Sequence, residues 1–184
     1  AAQQFGEWLM KHQNGYKTSL AGWLDTLKAP RTPQTKNQQH EFVSLEEIEQ
    51  IAAAPADTLW EQRIKAAAVF MFLSGIRVGA FATLPIKAID LKQMAVKQWP
   101  SLGVKTKNNK SATTYLLPLP DLLAVVKDWD NKVRSILPPD AYWFAHLDSK
   151  TGEIIPDFQP VGKHRHSRVR KDLKNWLAAA GLPN

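Results

Sequence analysis

The segment FMFLSGIRVGAFATLPIKAIDL, Phe70 to Leu91, poses an electrostatic problem. A dense apolar run ends at Ser74-Gly75, and a single permanent cation, Arg77, then stands among small and apolar residues. A guanidinium stays charged at any usable pH, and burying it without an anion is costly. Two partners satisfy it on paper. One is a carboxylate such as Asp90 or Glu47, in an ordinary structural ion pair. The other is a phosphate, gripped by the planar fork at the start of a helix behind a glycine turn. Spacing alone does not choose between them.

The flanking sequence reads as helices, then a sheet, then helices. Upstream, SLEE at Ser44 to Glu47 is a capping box that opens a helix with Ile48 and Ile51, ending near Ala54-Pro55. A second helix runs from about Thr58 to Ser74 and is apolar nearly all round at its end, which places it at the centre of the core. A third follows Arg77 through Leu84 and is stopped by Pro85. The period then changes. QMAVKQW, LGVKT and TTYLLPL alternate or are β-rich, and KNNKS between the last two is a turn signal, so a small antiparallel sheet is expected. Asp121 can cap the next helix, with Leu122, Val125/Val126, Trp129, Val133 and Ile136/Leu137 on its apolar face and Pro138-Pro139 as its stop. Residues 140 to 166 read as irregular. Ser167 can cap a last helix with Val169, Leu173, Trp176/Leu177 and Ala180 inward and Gly181 closing it.

Before all of this, residues 1 to 28 carry Phe5, Trp8, Leu9 and then Leu20, Trp23, Leu24 and Leu27 at helical spacing, with NGYKT (Asn14 to Thr18) as a turn. APRTPQTKNQQH, Ala29 to His40, is polar, carries two prolines and reads as a linker. A boundary is expected between residues 30 and 42.

The charge balance is basic, with 24 Lys+Arg against 17 Asp+Glu in 184 residues and a pI near 9.6. It is also uneven. Residues 91 to 120 hold five lysines and no acid, residues 161 to 184 hold six Lys/Arg and one Asp, and residues 41 to 62 hold six acids and no Lys/Arg. One-sided charge of this kind points to a polyanion, nucleic acid first. The absence of cysteine excludes disulfides, thiolate catalysis and thiolate-bound metal. The longest strongly apolar run, Ala66 to Leu73, is too short to span a bilayer. The N-terminus has neither a signal pattern nor an initiating Met, so the chain is expected to begin inside a longer, cytoplasmic protein.

Two further clusters carry cations. Lys105, Lys107 and Lys110 surround the KNNKS turn, where an ammonium can neutralise a phosphate or protonate a leaving oxygen. GKHRHSRVRK, Gly162 to Lys171, supplies Lys163, Arg165, Arg168 and Arg170 before or within a helix start. The bland readings are a solvated turn and a flexible polybasic loop. His164 and His166, without further ligands nearby, make a poor metal site. No Gly-rich phosphate loop, G-x-S-x-G or H-E-x-x-H occurs.

Taken in order, these segments resemble the catalytic domain of the tyrosine recombinases, the phage-integrase family. VSLEEIEQIAAA resembles its opening helix. FLSGIRVGAFATLPIKAIDL resembles its first-arginine box, with Gly75, Arg77, Leu84 and Asp90 in place. GVKTKNNKSATTYLLPLP resembles its lysine hairpin, and SRVRKDLKNWLAAAGLP the helix before its second-arginine box. The resemblance covers residues 43 to 184 and rests on order and spacing together. It implies an α+β, mainly helical fold with helices around a small antiparallel three-stranded sheet. Residues 1 to 30 would close a helical DNA-clamping domain, 31 to 42 would be the linker, and 43 to 184 part of the catalytic domain.

The resemblance also implies roles. Arg77 would be one of two arginines on the scissile phosphate, stabilising a pentacoordinate transition state; one such donor is worth about 3 kcal/mol. Lys105, or alternatively Lys107, would be the general acid for the leaving 5′-hydroxyl. Lys107, Lys110, Lys163, Arg165, Arg168 and Arg170 would contact DNA. The parent would join double-stranded DNA through a 3′-phosphotyrosyl intermediate, as a tetramer on two duplexes, with no metal or other cofactor.

Three departures qualify this. The family's Glu three residues after the first arginine is Ala80 here, no histidine has an Arg three residues on, and no tyrosine follows Tyr142. SRVR can be forced onto the second box, with Arg170 as its arginine and Ser167 in the histidine's place. The preferred placement puts that box beyond Asn184, so that the chain binds DNA without cutting it. A non-catalytic DNA-binding relative and a helical protein-interaction module are the alternatives.

Overall fold

The structure, a computed structural model, describes residues 2–12, 43–156 and 165–182. The chain divides into two compact units, Ala1–Phe42 and Val43–Asn184. In the first, helix α1 (Ala2–His12) carries Phe5 stacked on Trp8 at 6.4 Å between ring centroids. The Asn14–Thr18 turn, the apolar set from Leu20 to Leu27 and the 29–40 linker lie outside the described residues.

The second unit is built on a buried helix. Helix α2 (Leu45–Ala53) starts with the expected capping box: Ser44 Oγ accepts the Glu47 N–H and the Glu47 carboxylate accepts the Ser44 N–H. Helix α3 (Leu59–Ser74) opens with a second box, Thr58 with Glu61, which the sequence reading passed over. Ile64, Ala66, Ala67, Val69, Phe70 and Leu73 of α3 are all buried. The alanines let neighbouring helices approach closely, and the helix is enclosed rather than amphipathic. It packs against α2, against helix α5 (Pro120–Ile136) and against helix α6 (Arg165–Ala179).

Between them lie a single helical turn, α4 (Val78–Phe81), and a three-stranded antiparallel sheet, β1 (Ile89–Asp90), β2 (Ala95–Gln98) and β3 (Ala112–Tyr115), in that spatial order. The register pairs Ile89 with Val96 and Val96 with Thr114. The fold is thus mainly helical α+β around a small sheet, as expected, though several details differ.

Helix α4 stops at Phe81 rather than Leu84, because the Thr83 and Leu84 N–H groups turn back to the Ala80 and Phe81 carbonyls before Pro85 removes the next donor. LGVKT is not a strand. Pro100 opens a 3₁₀ turn (Pro100–Leu102), Gly103 sits at φ 87°, and Val104 is buried beneath them, so β2 and β3 are joined by a long connection. The first strand is instead Ile89–Asp90. Asp121 does not cap α5; Pro120 occupies its first turn and Leu119 makes no side-chain cap. Ile136 is exposed while Leu137 is buried. Helix α6 starts two residues before Ser167, which therefore lies within it rather than capping it, and Ala180 is exposed. Gly181 has the positive φ expected past the helix end.

Phe70, Phe81, Trp143 and Phe144 form an aromatic cluster, with Phe70 and Trp143 centroids 4.7 Å apart. Trp143 donates its indole N–H to Asp130 Oδ1 (2.9 Å), and Arg134 donates to Asp130 Oδ2 (2.6 Å) and to the Ile89 carbonyl (2.8 Å). This network stitches α5 to the sheet edge. No described helix is long and apolar enough to cross a membrane.

The Thr58 box is open to a direct test. The backbone N–H of Thr58, and then its hydroxyl, hold the Glu61 carboxyl below its ordinary value of 4.5. Its contribution is therefore present above that value and fades as pH falls through the lowered pKa. Thr58→Ala should lower unfolding free energy by about 1 kcal/mol at neutral pH. In thermal melts, the gap from wild type should narrow in acid.

Candidate nucleic-acid interface

The turn after α3 sets the position of Arg77. Gly75, at φ 61°, ends the helix in the left-handed region, and its N–H returns to the Met71 carbonyl at 3.0 Å. Ser74 Oγ donates to the Phe70 carbonyl (2.6 Å) and accepts the Ile76 N–H (3.3 Å). Ile76 is buried, and Arg77, the next residue, is exposed. The Arg77 carbonyl then accepts the Ala80 and Phe81 N–H groups, each at 2.9 Å. Among the described residues no carboxylate pairs with the Arg77 guanidinium. Glu47 is engaged in its capping box, and Asp90 accepts the Lys92 and Gln93 N–H groups at 3.0 Å each.

Lys105 is held through its backbone. Its N–H donates to Thr83 Oγ1 at 2.8 Å, while the Thr83 hydroxyl donates to the Ala80 carbonyl at 3.2 Å. Thr83 is buried, so the connection that carries Lys105 is pinned directly to the turn after Arg77. The expected turn at KNNKS is a 3₁₀ turn (Lys107–Asn109) in which Asn108 and Asn109 both have positive φ. Asparagine tolerates that region better than most residues.

These elements surround a cleft of about 850 Å³. Arg77, Lys105, Lys107, Lys110 and Arg170 line it, together with Gln98, Thr106 and Asn108 and the backbone of Gly75 and Gly79. Among the described residues five cations line the cleft and no carboxylate does. A concave, single-sign wall of this kind concentrates an anion. Ala80, where the resemblance leads one to look for a glutamate, is buried at the cleft wall.

The sequence-derived candidates therefore divide. Arg77, Lys105, Lys107, Lys110 and Arg170 come together although they span 94 positions of the chain, from 77 to 170. Arg168 is exposed on α6 and does not line the cleft. Lys163, His164 and the side chain of Arg165 lie outside the described residues. Tyr142 pairs by a β-bridge with Pro85, and Tyr115 is exposed on β3; neither lines the cleft. Among the described residues no group of His, Asp or Glu stands close enough to hold a metal ion.

Arg170, expected on sequence to contact DNA, lines the cleft. SRVR, the alternative location for the second-arginine box, is the segment whose arginine shares the cleft with Arg77. The signal was available: with Val169 and Trp176 inward on α6, Arg170 falls on the flank of the buried stripe. A second residue was missed altogether. Arg63, on α3, is 4% exposed. It donates to the Ala145 carbonyl (2.8 Å) and to Asp172 Oδ2 (3.1 Å), with its guanidinium 4.3 Å from the Phe144 ring centroid. An arginine beside Ile64 in a helix otherwise read as core was the clue.

No family model matches this sequence, and no curated protein matches it. Solved structures do. A XerA recombinase aligns over 99% of this chain and 60% of its own, at 15% identity and a TM-score of 0.52. An integrase from mycobacterium phage Brujita aligns over 99% of this chain and 50% of its own, at 19% identity and a TM-score of 0.47. The chain spans 60% of the length of the first and half that of the second. The likeness to XerA shows the fold: the chain has a tyrosine-recombinase-like architecture.

Two substitutions separate the cleft surface from its support. Arg77→Ala should leave stability within about 0.5 kcal/mol of wild type, because no carboxylate depends on it. Thr83→Val strands the Lys105 N–H and should cost about 1–3 kcal/mol. Urea unfolding of the two variants side by side checks both; a large loss for Arg77→Ala would reveal a structural partner.

Proposed function

We propose that this chain is a DNA-binding part of the catalytic unit of a tyrosine-type site-specific recombinase or integrase. The observation that carries this reading is the acid-free cleft in which Arg77, Lys105 and Arg170 face a common space within a recombinase-like fold. Arg77 and Arg170 are assigned to the non-bridging oxygens of one backbone phosphate. Paired guanidinium forks suit that geometry, and their fixed charge stabilises a pentacoordinate transition state. Lys105 is assigned as general acid to the leaving 5′-oxygen, with Lys107 as the alternative on the neighbouring turn. Lys110 and Arg168, together with Lys163 and Arg165, are assigned to flanking phosphates of a duplex.

Attack on the phosphorus needs a tyrosine, and among the described residues none lines the cleft. The chain as given is therefore assigned binding rather than cleavage. In the parent protein the tyrosine hydroxyl would form the 3′-phosphotyrosyl ester and release a 5′-hydroxyl. Attack by a second 5′-hydroxyl would reverse the step, conserving the bond without a cofactor. The same reading places the parent on double-stranded DNA in the cytoplasm, self-associating as a tetramer. Ala80 in a glutamate's place, and Ser167 in a histidine's, favour a second reading: a relative that keeps the fold and phosphate grip without catalysis.

Salt-titrated binding to duplex DNA tests the common part of both. If all five cleft cations meet phosphates, log K should fall against log salt with a slope of about −4.5. Weak binding that ignores salt would discard both readings and leave a protein-interaction module.

A further inference from the structure

We propose that the Arg63–Asp172 pair is a positioning device that fixes the rotation of α6 about its own axis and so keeps Arg170 turned into the cleft. The inference rests on the phosphate-binding reading of that cleft. Val169, Asp172 and Trp176, spaced i, i+3 and i+7, share the inward stripe of α6. Arg170 follows Val169 by one residue, about 100° around the axis. A modest roll of the helix would therefore carry its side chain out of the cleft. Apolar contact at Val169 and Trp176 holds the helix against the core but is non-directional and resists rolling weakly.

The Arg63–Asp172 contact is directional. Its N···O distance is 3.1 Å, with Arg63 and Asp172 side chains 5% and 14% exposed. Arg63 is itself over-determined. It rises from the central helix, donates a second N–H to the Ala145 carbonyl and lies against the Phe144 ring. Its fork is a fixed reference, and Asp172 is the one inward-facing acid that α6 offers to it. Neither side chain lines the cleft, so both act through Arg170.

The experiment is a double-mutant cycle read by salt dependence of duplex binding, in the full chain and well below the melting temperature. Arg170→Ala should flatten the slope by about 0.9, so that the affinity lost between 50 and 200 mM salt is about threefold smaller. Asp172→Ala should flatten it by a similar amount and add nothing in the Arg170→Ala background. Asp172→Glu should restore most of the slope. Should Asp172→Ala fail to fold, Asp172→Ser, too short to reach the Arg63 guanidinium, takes its place in the cycle. Asp172 variants that lower the melting temperature yet keep the wild-type slope, or whose effect adds to that of Arg170→Ala, overturn the positioning role. An Arg170→Ala variant with the wild-type slope overturns the cleft reading beneath it, and the two failures are thereby told apart.

Discussion

The turn at Ser74-Gly75 is the constraint on which the rest depends. Helix α3 is buried on nearly every side, so whatever follows it emerges from the interior. A left-handed glycine ends the helix, a buried serine closes the turn, and Ile76 returns inward. The cation therefore appears at the surface four residues after the fully buried Leu73. A flexible exit would leave the guanidinium to choose its own rotamers and lose side-chain entropy on meeting an anion. Here the backbone on both sides of it is already fixed.

The same logic recurs at the other cations, with a different support each time. Lys105 is anchored by a main-chain N–H on a buried threonine. Arg170 rides on a helix that packs on the core and carries a partly buried ion pair. Lys107 and Lys110 sit on a turn held by two residues of positive φ, with little packed beneath them. The cleft is thus supported by buried groups at Arg77 and Lys105 and by an exposed turn at Lys107 and Lys110.

Much of this was legible in the sequence where one physical signal dominated. The capping box at Ser44, the enclosed helix through Phe70 and the prolines after Leu137 each state a local preference that nothing in the tertiary structure opposes. The misreadings came where two signals competed. LGVKT has β-branched and apolar residues, yet Pro100 and Gly103 turn the backbone before a strand can pair. Ser167 is a good capping residue that lies inside a helix begun two residues earlier. Asp121 falls inside the first turn because Pro120 already begins the helix, leaving Leu119 at the cap. The site was half legible for a related reason. Arg77 stands out because its neighbours are apolar, and Arg170 is hidden among other cations, so only the face of α6 distinguishes it. Arg63 was invisible because its partner lies 109 residues away.

That separation has a kinetic meaning. The contact between α3 and α6 joins residues 109 apart, and α6 also brings Arg170 to the cleft. During synthesis from the ribosome, α2, α3 and the sheet can collapse while the polypeptide that will become α6 has not yet emerged. The nascent protein then carries Arg77 and Lys105 on a half-built wall without their third partner. The cleft gains its third wall, with Arg170, only when α6 docks.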